Sequence, residues 1–249
     1  LFEEGFIEKN SKALESIAKE SKAPLIIGYI RKENLNIYNS AAVCYDGQIQ
    51  SNYDKVLLPT YDVFDEERYF TSGKHPKVIN IPFKGDQIKV GLQICEDMWD
   101  QEYECKVSMI QKEMGADFIV NISASPYQQD RLLKRKDIIL NKVQETSLPF
   151  FYCNAIGGQD ELIFDGQSLA FSEEGSVIGY GTAFKEEIIM VDLKSKNKID
   201  IKIQPREEKM YNALCLGLKD YFLKTGHKEA VLGLSGGIDS ALVASIASD

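Results

Sequence analysis

Apolar residues along this chain switch repeatedly between a period of two and a period near 3.6, and that switching restricts the fold more than any other property. Residues 6–21 set Phe6, Ile7, Ala13, Leu14, Ile17 and Ala18 at helical spacing among Lys and Glu, which predicts an amphipathic helix. Pro24 breaks that pattern, and residues 25–30 read as a short apolar strand. Residues 37–45 and 48–53 flank Asp46-Gly47, two residues that tolerate positive φ, so a hairpin is expected. A turn-rich, charged loop runs from Pro59 to Pro76. Beyond it the pattern predicts a strand over 88–94, a helix over 99–114 ending at Gly115, a strand over 118–123 and a helix over 131–146. A strand over 150–155 follows Pro149, residues 162–181 read as two strands joined by a turn at 173–175, and 188–193 reads as a last strand. Strands alternating with helices, with hairpins inserted, imply an α/β sandwich with mixed sheets.

Residues 194–198 are polar and lack apolar periodicity, and Pro205 follows shortly after. A linker is therefore expected over 195–205, separating a first domain (1–194) from the opening of a second (206–249). In the second, Met210, Leu214, Leu218, Tyr221 and Phe222 mark an amphipathic helix, and 230–234 reads as a strand running into Ser235-Gly236-Gly237 and an Ala-rich helix. The chain starts at Leu1 rather than Met and stops at Asp249 inside a helical pattern, so it is expected to be an excerpt of a longer protein.

Composition excludes several classes. The longest apolar runs stay short of the roughly 18–20 residues a membrane-spanning helix needs. The net charge of −9 argues against a generic binder of nucleic acid or of an anionic membrane. Five cysteines without CxxC spacing and only two histidines disfavour a disulfide scaffold or a structural zinc site, and fit a reducing cytoplasm.

Lys89-Val90-Gly91-Leu92-Gln93-Ile94-Cys95-Glu96-Asp97 puts a thiol where an apolar strand meets an acidic segment and then a helix. On a strand-to-helix turn a thiol can be exposed, with backbone donors aimed at an oxyanion and the helix N-terminus favouring the thiolate. A buried structural cysteine is the alternative. Adjacent carboxylates would raise a thiol's pKa, so a nucleophile here requires a nearby cation. Lys55, in Tyr53-Asp54-Lys55-Val56-Leu57-Leu58-Pro59, is the candidate; by itself a lysine there reads equally as a solvated charge.

Together these segments resemble the nitrilase, or carbon–nitrogen hydrolase, superfamily, whose members carry a Glu–Lys–Cys triad. The resemblance implies Lys55 as the triad lysine, Cys95 as the nucleophile, Glu66 as the auxiliary glutamate and Tyr61 as a pocket residue. The triad glutamate belongs to an upstream P-E-L-x-L-x-G-Y type segment that these 249 residues do not contain. The implied chemistry is amide hydrolysis: thiolate attack on a carboxamide, an oxyanion stabilised by Lys55 and backbone N–H groups, and a thioester cleared by water. The implied fold is a nitrilase-like α-β-β-α sandwich with mixed sheets.

Two further segments narrow the resemblance. Residue by residue, Gly157-Gly158-Gln159-Asp160-Glu161-Leu162-Ile163-Phe164-Asp165-Gly166 is similar to the glutaminase domain of glutamine-dependent NAD synthetases, which implies Glu96, Ser123 and Arg131 as glutamine contacts. As local structure the same run reads as a glycine-permitted loop feeding a strand. Ser235-Gly236-Gly237-Ile238-Asp239-Ser240, after an apolar segment, resembles the S-G-G-x-D-S loop of the ATP-pyrophosphatase class. There, glycines let the backbone approach a phosphate and N–H groups at a helix start cradle pyrophosphate. Ser235, Gly236, Gly237, Asp239 and Ser240 are thus the expected ATP site, at the start of an α/β ATP-pyrophosphatase domain.

The resemblance implies that glutamine supplies ammonia for ATP- and Mg²⁺-dependent amidation of deamido-NAD in a homo-oligomeric enzyme. Two other readings stay open: a stand-alone amidase or nitrilase, and a catalytically incomplete chain lacking the triad glutamate.

Overall fold

The computed structural model describes residues 1, 3–83, 85–193 and 197–249. The end of the first expected domain at 194 and the first linker residues, 195 and 196, lie outside the described residues. The elements in chain order are α1 (Phe6–Glu20), β1 (Leu25–Glu33), β2 (Asn36–Tyr45), β3 (Gln48–Asp54), β4 (Lys77–Phe83), β5 (Asp86–Ile94), α2 (Val107–Glu113), β6 (Phe118–Ser123) and α3 (Arg131–Thr146). They continue with β7 (Phe150–Asn154), β8 (Ile156–Gln159), β9 (Leu162–Asp165), β10 (Leu169–Phe171), β11 (Val177–Tyr180), α4 (Arg206–Thr225) and α5 (Ile238–Ser248). Strands group as β1-β2-β3, as β11-β10-β7-β6-β5-β4, and as the pair β8-β9. The second group is mixed: β4 and β5 are antiparallel, β5 and β6 parallel.

By compactness the chain forms two units, one of Leu1–Ile122, Ile138–Tyr152 and Phe171–Gly175, the other of Ser123–Asp137, Cys153–Ala170 and Ser176–Asp249. The first unit is layered by strand alternation. Ala42 and Cys44 of β2 pack under Leu14 and Ala18 of α1, while Ala41 and Val43 point the other way, into a core with Ile79, Ile81, Val90, Leu92 and Ile94. On the far face of β5, Gln93 and Gly91 meet Ser108 and Gln111 of α2. The order helix, sheet, sheet, helix arises from which residues are apolar on which face.

Asp46 and Gly47 both take positive φ (51° and 76°), as the hairpin requires. Several expectations are corrected. The helix expected over 99–114 forms only from Val107, after 3-10 turns at Cys95–Met98 and Asp100–Glu102. Two of its early acceptors are used elsewhere: Lys106 Nζ donates to the carbonyls of Asp100 and Gln101. Strand β4 has no counterpart among the expected strands, although Val78, Ile79 and Ile81 come soon after Pro76; Pro82 is tolerated because β4 is an edge. The loop expected around 156–159 is strand β8, and the first strand expected within 162–181 divides into β9 and β10 at Gly166 and Gln167, both at positive φ. The strand expected over 188–193 does not form. Ile189 and Val191 lie over Gly181 and Gly179 while Ile188 and Met190 stay exposed, so the alternation survives without a hydrogen-bonded ladder. Nor is 230–234 a strand; Val231 is fully exposed, and among the described residues that segment has no sheet to join.

In the second unit α4 rests on the β8–β9 hairpin. Asp220 accepts from the Gly158 N–H at 2.7 Å, and Lys224 donates to the Gly158 carbonyl. A Cβ on Gly158 would lie 3.1 Å from the Gly217 Cα. The glycine pair in the hairpin is therefore a consequence of close helix approach.

Candidate active site

Strand β5 delivers Cys95 to a sharp turn. Cys95 has φ 43°, left-handed backbone that costs a non-glycine residue roughly 1–2 kcal/mol. Such strain persists only where surrounding contacts over-determine it. The Asn121 amide donates to the Cys95 carbonyl at 3.2 Å, and the neighbouring Glu96 and Asp97 are buried. Cys95 itself opens a four-residue 3-10 turn, so the expected helix N-terminus is replaced by a shorter device. Cys95 as a residue is partly exposed, and none of the five cysteines forms a disulfide.

Lys55 comes at the end of β3 and is 1% exposed, its Nζ 2.6 Å from Glu66 Oε1. Glu66 Oε2 accepts in turn from Asn39 Nδ2 at 3.2 Å. Lys55 and Glu66, each expected separately as a site residue, are thus paired, one from the end of β3 and the other from the 3-10 turn Glu66–Arg68. Removing either partner would leave the other uncompensated. Lys55 is also among the charges that bear on Glu96 and Asp97, the two residues next along the chain from the thiol.

Tyr61 and Glu96 are likewise brought together. The Tyr61 hydroxyl donates to both Glu96 oxygens at 3.0 and 2.9 Å, and Tyr103 donates to Oε1 at 3.1 Å. Burial pushes the Glu96 carboxyl above its ordinary value, and the two tyrosines and Lys55 pull it back. Burial, then the Glu96 charge, raises both phenols, so they remain donors at neutral pH. A carboxylate carrying fixed hydroxyl donors beside a thiol is suited to hold the ammonium of an amino-acid substrate.

Sequence reasoning gives Asp97 no role, yet it is fully buried and its carboxylate accepts from Val56, Leu57, Ile94 and Tyr53. Its signal is its place two residues after Cys95, but nothing local tells which donors it meets. Tyr103 and Asn39 escape sequence reasoning for the same reason.

Ser123 and Arg131 lie in the second unit, Ser123 at the end of β6 with its carbonyl accepting from Ala155 N–H, Arg131 opening α3. The fully buried guanidinium there is Arg135, one turn on, paired with Asp165 at 2.8 Å and donating to the Ser125 and Pro126 carbonyls. In the Gly-rich loop, Ser235 and Ser240 hydroxyls are 3.1 Å apart, Gly236 has φ 83°, and Ser240 donates to the Gly237 carbonyl. Gly237 caps α5, with Asp239 in its first turn. Among the described residues, no three His, Cys, Asp or Glu side chains are grouped to hold a metal ion, and no helix is long and apolar enough to cross a membrane.

A layered α/β fold that sets a strained cysteine turn and a buried lysine in one unit is that of the carbon–nitrogen hydrolases. The Carbon-nitrogen hydrolase family matches residues 6–201, and the chain belongs to it. A second family, NAD synthase, matches residues 210–249. The chain is 37% identical to the glutamine-dependent NAD(+) synthetase of Thermotoga maritima, over 98% of this chain and 48% of that protein. It is 38% identical to that of Rhodobacter capsulatus, over 85% of this chain and 38% of the relative. The solved glutamine-dependent NAD+ synthetase of Acinetobacter baumannii, in complex with ADP, superimposes with a TM-score of 0.85 at 30% identity, covering 98% of this chain and 46% of that one. The chain thus spans about half the length of the relatives it matches.

Proposed function

We propose that this chain is the glutaminase portion, and the opening of the ATP-binding portion, of a glutamine-dependent NAD synthetase. The division expected from sequence, 1–194 and 206–249 about a 195–205 linker, is retained in this reading. One observation carries it: a carbon–nitrogen hydrolase match is followed, in the same chain, by an NAD synthase match that takes in the Ser235–Ser240 loop. Cys95 is the nucleophile that attacks the glutamine carboxamide, and Lys55, held by Glu66, stabilises the oxyanion with backbone N–H groups. Glu96, fixed by Tyr61 and Tyr103, takes the substrate ammonium; Ser123 and Arg131 are further glutamine contacts on the family resemblance alone. A carboxylate shuttles the proton to the leaving ammonia; the segment that carries it in the family is not found in these 249 residues. Ammonia then serves the ATP-dependent amidation of deamido-NAD.

Ser235, Gly236, Gly237 and Ser240 offer N–H and hydroxyl groups to a pyrophosphate, as befits a helix start. Mg²⁺ fits the same place, because Asp239 provides one carboxylate and phosphate oxygens supply most other ligands of such ions. A cytoplasmic homo-oligomer that uses neither nucleic acid nor membrane completes the proposal; the charge of −9 supports the latter part.

In the full-length protein, Cys95→Ala is expected to abolish glutamine-dependent synthesis while ammonia-dependent synthesis continues. Loss of both activities contradicts the division of labour. Glutamine hydrolysis by the unaltered enzyme that is indifferent to ATP and deamido-NAD points instead to a stand-alone amidase.

A further inference from the structure

The carboxylate of Asp97, two residues after the candidate nucleophile, accepts from donors on two separate segments. Its Oδ1 accepts the backbone N–H groups of Val56 and Leu57 at 3.1 and 3.0 Å. Its Oδ2 accepts the Ile94 N–H at 2.9 Å and the Tyr53 hydroxyl at 2.8 Å. Three of these donors lie on the segment that carries Lys55, two on its C-terminal side and one on β3. The fourth immediately precedes Cys95. One side chain therefore clamps the lysine's strand end to the strained cysteine turn across about forty residues of sequence. Asp97, Tyr53 and Lys55 are each no more than 1% exposed, so no water substitutes readily for a lost bond.

We propose that Asp97 is a positioning residue of the amidase site: by bridging the Val56–Leu57 backbone to the Ile94–Cys95 turn, it holds thiol and ammonium in one mutual geometry. The inference rests on the proposed roles of Cys95 and Lys55. Its physical content is orientation. Two reacting groups carried on separate elements lose effective molarity if the elements drift, and a displacement of about 1 Å can cost about 100-fold in rate. Both carboxylate oxygens are needed as acceptors. An amide in its place presents an N–H₂ to one pair of donors, and only the Tyr53 hydroxyl can turn round to accept from it.

The test compares full-length proteins carrying Asp97→Asn, Tyr53→Phe and Cys95→Ala. Three quantities are measured: kcat and KM for glutamine hydrolysis, the rate of Cys95 alkylation by iodoacetamide, and ammonia-dependent synthesis. Asp97→Asn is expected to lower kcat and the alkylation rate by about 100-fold, with glutamine KM within about threefold and ammonia-dependent synthesis unchanged. Tyr53→Phe, which removes a single donor, is expected to slow both by about tenfold, in keeping with one hydrogen bond to an ionised carboxylate. Values of kcat and alkylation within about twofold of the parent for Asp97→Asn overturn the proposal, as does a loss of kcat with alkylation unchanged. If Asp97→Asn also loses ammonia-dependent synthesis and so fails to fold, Tyr53→Phe decides, and parental rates in that variant overturn it. Glutamine hydrolysis that survives Cys95→Ala sinks the amidase assignment itself, a result separable from the others.

Discussion

The Cys95 region and the Ser235–Ser240 loop are built in opposite ways. Around Cys95, polar groups meet partners far away in sequence: Asp97 with Val56 and Leu57, Glu96 with Tyr61, Glu66 with Asn39. In the loop, Ser235 bonds to Ser240 and to Gly237 N–H, and Ser240 to Gly237, within five residues, and the loop side chains are largely exposed. An anion cradle needs only glycine freedom and a helix start, both local properties. A nucleophilic thiol beside two carboxyls, as proposed for Cys95, would need a cation and fixed donors brought from other segments. The first kind of site is written in one stretch of chain; the second exists only after folding.

The contrast can be broken most severely at Lys55. Lys55→Met removes the imported cation and leaves Glu66 without its partner, so glutamine turnover is expected to fall at least about 10²–10³-fold. Ammonia-dependent synthesis should persist, and a loss below tenfold would dissolve the distinction. Asp239→Asn is the mirror experiment: ammonia-dependent synthesis should drop by about 100-fold if the carboxylate serves the metal-phosphate region. Iodoacetamide alkylation of Cys95 should not change, and unaltered synthesis would remove the loop from the active enzyme.

Acid titration sharpens the comparison on the Cys95 side. Burial pushes the Asp97 carboxyl up to about 6, against the pull of the Ile94 and Leu57 N–H groups, Lys55 and Tyr53; the Cys105 thiol also feels its charge. Because this native value lies above the ordinary aspartate value, the group's desolvation cost is present above pH 6 and relieved as the pH falls. Protonation therefore favours the fold while removing an acceptor from the clamp. Glutamine turnover should show an acid limb near pH 6 without unfolding by circular dichroism, and Asp97→Asn should lack that limb.

Smaller effects lie away from both sites. At Gly157, φ is 129° and a Cβ would stand 2.7 Å from Asp220 Oδ2, so Gly157→Ala should lower stability by about 1–3 kcal/mol in thermal melts. Ser240→Ala deletes only local bonds at the surface and should change stability by less than about 0.5 kcal/mol. A melting shift for Ser240→Ala as large as that for Gly157→Ala would show the loop to be less local than its bonding.

Much of the fold is legible in the sequence because its signals are local. The helix over Arg131–Thr146 and the strand over Phe118–Ser123 match their expected bounds, and Asp46-Gly47 makes the expected hairpin. Failures fall where a side-chain contact outbids the periodic preference. Residues 99–106 have helical spacing, yet the Lys106 ammonium takes the Asp100 and Gln101 carbonyls. Ile188–Leu193 has strand alternation, yet packs on Gly179 and Gly181 rather than joining a ladder. Within the site, Cys95, Lys55, Glu66, Tyr61 and Glu96 are nameable from motif resemblance. The clamp through Asp97 is not, because its four donors come from two segments whose proximity no spacing rule encodes.

By itself, then, the amino-acid order determined the alternation of elements, the glycine-permitted turns and the locally bonded Ser235–Ser240 loop, since each depends on side-chain periodicity or backbone freedom over a few residues. Tertiary structure alone decided which carboxylate meets which donor, how far Lys55 is buried and why a cysteine is held at positive φ. Those outcomes depend on desolvation and on partners drawn from distant strands, and neither exists until the sheets have packed.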